Sequence, residues 1–308
     1  MLEVAIMIEG QDGLNWPRWR RIVEVVEALG FQGLFRSDHF TNANPPDKDS
    51  LELWVSLTWL ADHTERIEFG PLVTPASFRH PAITARMAAA VDDLSAGRLV
   101  LGLGAGWQER EHEMFGFDLL DLEGRFQRYE EYLEVVSRLL KSDERLSFEG
   151  DFYELHDALL LPRPARPGGP PILVGGNGPQ RTLPLAARFA DEWNGVYLTP
   201  EDFAWRNERL DDLLEEEGRE LSEVRRSLMV GLIFGKDEAE VAEQLSKKGR
   251  SAEEMRRSGL VVGTANAVVE QLGRYAEAGV ERLMLQWLAL DDIEGLESLG
   301  QGVLPQIR

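Results

Sequence analysis

The stretch PILVGGNGPQRTLPLAARFADEWNGVYL, residues 171–198, reads as strand, glycine loop, helix and strand in immediate succession. Its first run, PILVGG (171–176), is continuously apolar rather than alternating. Such runs belong to strands buried on both faces, as in parallel sheets. The helix over 179–190 is opened by Pro179, which suits the first helical position. A strand, a crossover helix and a parallel strand form one βα repeat, and the same rhythm extends in both directions. Upstream lie VAIMIE (4–9), a helix over 17–30 opened by Pro17 and closed by Gly30, GLFRSD (33–38), a helix over 49–65, IEFGPLVT (67–74), a helix over 81–96, RLVLGLGAG (98–106) and helical 108–115 and 124–142. Downstream follow a helix over 201–218, SLMVGLIFG (227–235), helices over 237–258 and 264–279, RLMLQWL (282–288) and a last helix.

Eight strands, each followed by helix, in 308 residues predict an α/β fold: a single (β/α)8 TIM barrel with insertions, spanning 1–308 as one domain. A doubly wound open sheet is the other arrangement of eight parallel strands. A hairpin excursion over about 147–170, ending in a Pro/Gly-rich connector, and a variable insertion over about 198–260 interrupt the rhythm.

Composition narrows the function. The formal net charge is -21, from 54 acidic and 33 basic residues, which argues against nucleic acid because phosphate binding needs a basic face. An anionic ligand must then be held by local amides or arginines, since screening confines each charge to ~8–10 Å. No cysteine is present, so disulfides and cysteine nucleophiles are excluded. The five histidines show no ligand spacing, so no metal is expected. No run reaches the ~20 apolar residues of a membrane span, and MLEVAIMIEG lacks the basic region and cleavage site of a secretion signal. A cytoplasmic enzyme is the expected setting.

In a barrel the functional positions lie at the C-terminal ends of the strands. After strand five, Gly175, Gly176, Asn177 and Gly178 lead into a helix whose free N–H groups make an anion cradle, with Arg181 close by. The other reading is a plain glycine-rich turn. After strand four, GLGAGWQERE fails as a dinucleotide fingerprint, because Glu109 or Trp107 stands where the third glycine belongs. Gly106 and Trp107 there form either a flat aromatic wall beside a planar ligand or part of the core. After strand two, Asp38 and His39 are either a helix cap with a bystander or the start of an active site. His80, preceding a proline, is expected to fix its turn. Neither a G-x-S-x-G nor a P-loop motif occurs.

Taken together, GLFRSDHF (33–40), IEFGPLVTPASFRHPAITA (67–85), GRLVLGLGAGWQEREHEMFGF (97–117), FYELHDALLLPRP (152–164) and PPILVGGNGPQRTLPLAARFADEWNG (170–195) resemble the luciferase-like monooxygenase superfamily, in its coenzyme F420-dependent oxidoreductase branch. The resemblance implies a barrel with extra loops and hydride transfer between F420 and a small organic substrate. It places Asp38 and His39 at the deazaflavin, with His39 as proton donor or acceptor and Asp38 orienting it or bonding the ring's polar edge. It also implies a non-proline cis peptide at Leu72-Val73, followed by Thr74, behind the cofactor ring, and a phosphate cradle at Gly175–Gly178. Gly106 and Trp107 would border the same ring. The catalytic glutamate that some F420-dependent sugar-phosphate dehydrogenases carry after this G-x-G is replaced by Trp107, while Glu109 and Glu111 on the next helix read as facing solvent. The alternative is an FMN-dependent monooxygenase fed by a flavin reductase. Non-catalytic flavin binding and a lysine-dependent lyase are remoter readings. A homodimer is expected.

Overall fold

A computed structural model describes residues 2–307. Eight parallel strands form the barrel: Glu3–Ile8, Gly33–Arg36, a third strand in two pieces (Glu68–Pro71 and Thr74–Pro75), Leu101–Gly104, Ile172–Gly175, Glu192–Val196, Arg225–Phe234 and Arg282–Gln286. Each pairs with its neighbours in sequence order, and the first pairs with the eighth, with Ala5 opposite Met284. The third strand closes the ring on the fourth. Thr74 lies opposite Leu103, and the Phe69 N–H donates to Arg98 O while its carbonyl accepts from Val100 N. The eight predicted strands are thus the staves of a barrel rather than of an open sheet.

The continuous apolar strands serve two cores. Val4, Ile6 and Ile8 point outward beneath the helices, while Ala5 and Met7 point inward with Phe35, Val100, Leu173, Met229 and Met284. Alternate side chains leave opposite faces of a strand, so both sets must be apolar. The lower mouth is closed by Arg282, fully buried among Glu3, Glu68 and Glu192. Its Nε donates to Glu3 Oε2 at 2.8 Å and its Nη1 to Glu192 Oε2 at 3.2 Å.

Local signals set the helix ends. Asn15 accepts from Arg18 N ahead of the helix Trp16–Leu29, which stops at Gly30 with φ 91°. The His80 imidazole accepts from Ala82 N at 3.2 Å and caps Pro81–Leu94, as its place before proline suggested. The fifth crossover helix begins later than predicted, at Thr182 instead of 179. Gly178 O accepts from both Thr182 N and Leu183 N, so Pro179 opens a turn that precedes the helix.

Outside the barrel, Leu146–Glu149 and Glu154–Ala158 form an antiparallel hairpin. Between 198 and 260 lie the helix Pro200–Glu216, the seventh barrel strand and the helices Glu238–Lys248 and Ala252–Arg257. One strand escaped the sequence reading. Leu260–Gly263 pairs with the far half of the seventh strand, Gly231 opposite Leu260. Four residues between two helices are too short a run to announce a strand by periodicity.

Candidate active site

A cavity of about 490 Å³ opens at the C-terminal ends of the strands, within the range of small-molecule sites. Its floor is the third strand, where the Leu72–Val73 peptide is cis, as the resemblance implied. The glycines of neighbouring strands make room for Val73. A Cβ on Gly104 would lie 2.5 Å from Val73 Cγ2, and one on Gly175 would lie 2.9 Å from Val73 Cγ1. The glycines read as loop-formers therefore also let one aliphatic side chain fill the top of the barrel.

His39 lines this cavity with only 14% of its side chain exposed. Its Nδ1 lies 2.7 Å from Glu111 Oε1, and the other oxygen of that carboxylate accepts from Phe40 N at 2.9 Å. Glu111 is fully buried. With Nδ1–H donated to Glu111, Nε2 is the nitrogen left for the cavity. Burial pulls the imidazole pKa down, but the Glu111 hydrogen bond and charge, with the charges of Glu9 and Asp38, outweigh it and hold His39 above the ordinary value. Trp107 meets this ring edge-on, centroids 5.6 Å apart, and is 60% exposed. It is therefore a wall of the cavity and not core.

Asp38 points the other way. Its Oδ2 accepts from Arg79 Nη1 at 2.5 Å and from the Thr74 hydroxyl at 3.0 Å. The expectation that Asp38 orients His39 is corrected: Glu111 holds the imidazole, while Asp38 ties the second strand end to the third. Neither Asp38 nor Thr74 borders the cavity. The reading of Glu111 as solvent-facing is likewise corrected, because the helix Glu109–Phe115 turns that position inward.

On the opposite wall, Gly106, Gly175 and Gly176 border the cavity together with Thr182. Gly176 has φ 133°, a conformation that suits glycine, and Thr182 packs against it within 3.2 Å of where a Cβ would stand. Asn177 does not face the cavity. Its amide bridges to the sixth strand, donating to Val196 O at 2.8 Å and accepting from Val196 N at 2.9 Å. Gly178 does not border the cavity either. Two buried polar atoms on cavity-lining residues have no hydrogen-bond partner among the described residues, Arg125 Nε and Asn194 Oδ1. Arg125 Nη1 donates to Gly106 O at 3.2 Å, which places this guanidinium beside the glycine wall. Glycine backbone, a threonine and a guanidinium with a spare donor make a donor set suited to a phosphate.

The sequence places Glu9 and Tyr197 at strand ends and Arg79 at a helix entry without marking them as site residues, reads Glu111 as solvent-facing, and gives no signal for Arg125.

A profile of the luciferase-like monooxygenase family matches residues 4–252. The F420-dependent glucose-6-phosphate dehydrogenase of Kineococcus radiotolerans is 32% identical over 223 residues, covering 70% of this chain and 64% of that one, a little under two thirds of its length. The enzyme of the same name from Intrasporangium calvum is 26% identical over 318 residues, 92% of each chain. Among solved structures, an F420-dependent secondary alcohol dehydrogenase in complex with an F420-acetone adduct superposes with a TM-score of 0.87, at 19% identity, over 100% of this chain and 99% of that one. At that identity the likeness concerns the fold.

Proposed function

The chain belongs to the luciferase-like monooxygenase family, and from that premise we propose that it is an oxidoreductase moving hydride between coenzyme F420 and a small organic substrate. The observation that carries the proposal is His39, which lines the cavity while buried Glu111 fixes its Nδ1, leaving Nε2 as the nitrogen available to a ligand. Two relatives aligned over most of this chain are named for F420, which supports the deazaflavin over FMN.

In this reading Gly106, Gly175, Gly176, Thr182 and Arg125 hold the phosphate end of the cofactor. Leu72 and Val73 support its ring from below. When bound, F420 supplies a ring carbon that accepts or returns a hydride. The protein's own work is the proton. Taking hydride from a carbon that bears a hydroxyl requires the hydroxyl proton to leave, and His39 Nε2 is the acceptor placed for it. Glu111 stabilises the imidazolium that results and keeps the ring in the tautomer with a lone pair on Nε2. In the reverse direction the same imidazolium is the acid. Asp38, Thr74 and Arg79 position the strand end that carries His39. Trp107 and Tyr197 border the mouth.

The homodimer is part of the proposal. The helices Leu53–His63 and Pro81–Leu94 lie side by side and present exposed Val55 and Ile83. Light scattering of the wild type and of Val55→Glu tests it, with a dimer and a monomer expected in turn. A cytoplasmic setting is part of the same proposal.

The test of the cofactor is a pair of titrations of the purified protein, with F420 and with FMN, in one buffer. Tight F420 and weak FMN binding is expected. The reverse order would replace this reading with a monooxygenase fed by a flavin reductase.

A further inference from the structure

The wall across from the glycine loops is built from the first, second, sixth and eighth strand ends. Its centre is Glu9, the one carboxylate lining the cavity among the described residues. Gln286 Nε2 donates to Glu9 Oε1 and Gln11 Nε2 to Glu9 Oε2, each at 2.8 Å. The far end of each amide is fixed in turn. Gln286 Oε1 accepts from the Tyr197 hydroxyl at 2.6 Å, and Gln11 Oε1 accepts from the Ser37 hydroxyl at 2.6 Å. Both relays therefore run toward Glu9, and each ends by donating to it.

The direction of these bonds decides what the wall can bind. The Tyr197 and Ser37 hydroxyl protons are spent on the glutamines, leaving lone pairs on the Tyr197 oxygen, while Ser37 Oγ already accepts from Gly10 N at 2.9 Å. Each carboxylate oxygen of Glu9 has two lone-pair sites, one of them taken by an amide. Toward the cavity the wall thus offers the carboxylate and hydroxyl acceptors of Glu9 and Tyr197, beside the second N–H of the Gln11 amide. The cavity's one arginine, Arg125, sits on the other side, against Gly106 O. A phosphate or carboxylate placed on the Glu9 side would meet a negative charge with Arg125 on the far side of the cavity. The one nearby group able to carry positive charge, the His39 imidazole, is already paired with Glu111, so the cost rises as water is excluded.

Resting on the cofactor reading above, we propose that the substrate is an uncharged diol or polyol, an unphosphorylated sugar being one example. One hydroxyl reacts at His39, and a second donates to Glu9. Two relatives are named for glucose 6-phosphate; this chain would reject it.

The test uses the protein loaded with F420 and two matched pairs of probes: glucose with glucose 6-phosphate, and propane-1,2-diol with lactate. Binding is read calorimetrically and by the fluorescence of the bound cofactor, and turnover by its loss. In the wild type the neutral member of each pair is expected to bind at least about tenfold more tightly than the anionic one. Glu9→Gln should reduce that preference about tenfold or more while leaving F420 affinity unchanged. Glu9→Asp keeps the charge but withdraws it, so it should still exclude the anions while losing affinity for the diol, and it serves if Glu9→Gln does not fold. Equal or tighter binding of an anionic probe by the wild type, full preference retained in Glu9→Gln, or no binding of either neutral probe would each overturn the proposal. If FMN binds in place of F420, the cofactor reading fails, and the same pairs run on FMN-loaded protein still decide the charge selection.

Discussion

Replacing Glu111 by glutamine tests the centre of the site. Two donors converge on the Glu111 carboxylate, His39 Nδ1–H at 2.7 Å and Phe40 N–H at 2.9 Å. A glutamine amide has one oxygen to offer them. If Phe40 keeps it, the NH2 faces Nδ1, and the ring must move its proton to Nε2, which removes the acceptor from the cavity. If His39 keeps it, a buried backbone N–H is left unpaired. Either way the charge that stabilises the imidazolium is gone. A hydrogen bond to a charged group contributes ~1.5–3 kcal/mol, so a step passing through the imidazolium should slow by ~10- to 150-fold.

The first readout needs no substrate. The chain has five histidines, and their ring nitrogens are separable by nitrogen–proton correlation spectroscopy, with His39→Ala giving the assignment. Wild-type His39 should titrate above a free imidazole and carry its neutral proton on Nδ1. In Glu111→Gln the midpoint should fall, and the proton should shift toward Nε2. Stability supplies an independent check with a definite sign. A histidine whose folded pKa is raised contributes its full stabilisation below the unfolded value of 6.5, and loses it as pH rises through the folded value. The gap in unfolding free energy between wild type and Glu111→Gln should be widest at mildly acid pH and narrow on the alkaline side. An unchanged midpoint and tautomer in the variant would refute the assignment of Glu111 as the partner that sets the state of His39.

Three further substitutions probe what supports the site. Asp38→Asn weakens a pair whose side chains are 7% and 16% exposed; Arg79 keeps its bond to Glu52 Oε1 at 3.0 Å, so the loss in urea unfolding should be ~1–3 kcal/mol, with F420 affinity changed less than stability. Gly104→Ala puts a Cβ 2.5 Å from Val73 Cγ2 and should cost ~1–3 kcal/mol through overpacking. Adding Val73→Ala should return part of that loss, and a strictly additive pair would contradict the packing argument. Arg282→Met leaves Glu3, Glu68 and Glu192 at the lower mouth with the partly exposed Arg225 as their remaining cation, costing up to ~3–5 kcal/mol at neutral pH. Burial pushes the Glu192 carboxyl up, against the pull of Arg282, so the deficit should shrink as pH falls and the carboxylates take up protons.

The barrel was legible because its signals are local and repeated. Each strand is an apolar run bounded by turn residues, and the requirement for two buried faces is written into each run separately, as in VAIMIE. Closure of the ring is not local, and eight runs are equally consistent with an open sheet. What selects the ring is the meeting of Phe69 with Leu99 and of Thr74 with Leu103, on strands whose residues carry no mark of it. Leu260–Gly263 was missed for the converse reason. It is a strand because the seventh strand runs ten residues and its far half needs a partner, a condition set elsewhere in the chain.

The site shows the same division more sharply. His39 and the glycine loops were found because a strand end is a place that sequence can locate. Glu111 was not, because EREHE reads as a solvated helix. Yet Gln108, Glu111 and His112 stand at i, i+3 and i+4, one face of a helix, and all three are buried. Polar residues at helical spacing just after a strand end can be the inward face of a site-bearing helix, whatever their charge suggests. The error over Asp38 was avoidable from backbone geometry alone. Successive residues on an extended chain project to opposite sides, so Asp38 and His39 cannot both face one ligand or easily reach each other. Ser37 and His39 line the cavity while Asp38 turns away to Arg79. Adjacency in a strand end is therefore an argument against two side chains sharing a task, and the partner of this strand-end histidine comes instead from the short helix that follows a different strand, the fourth.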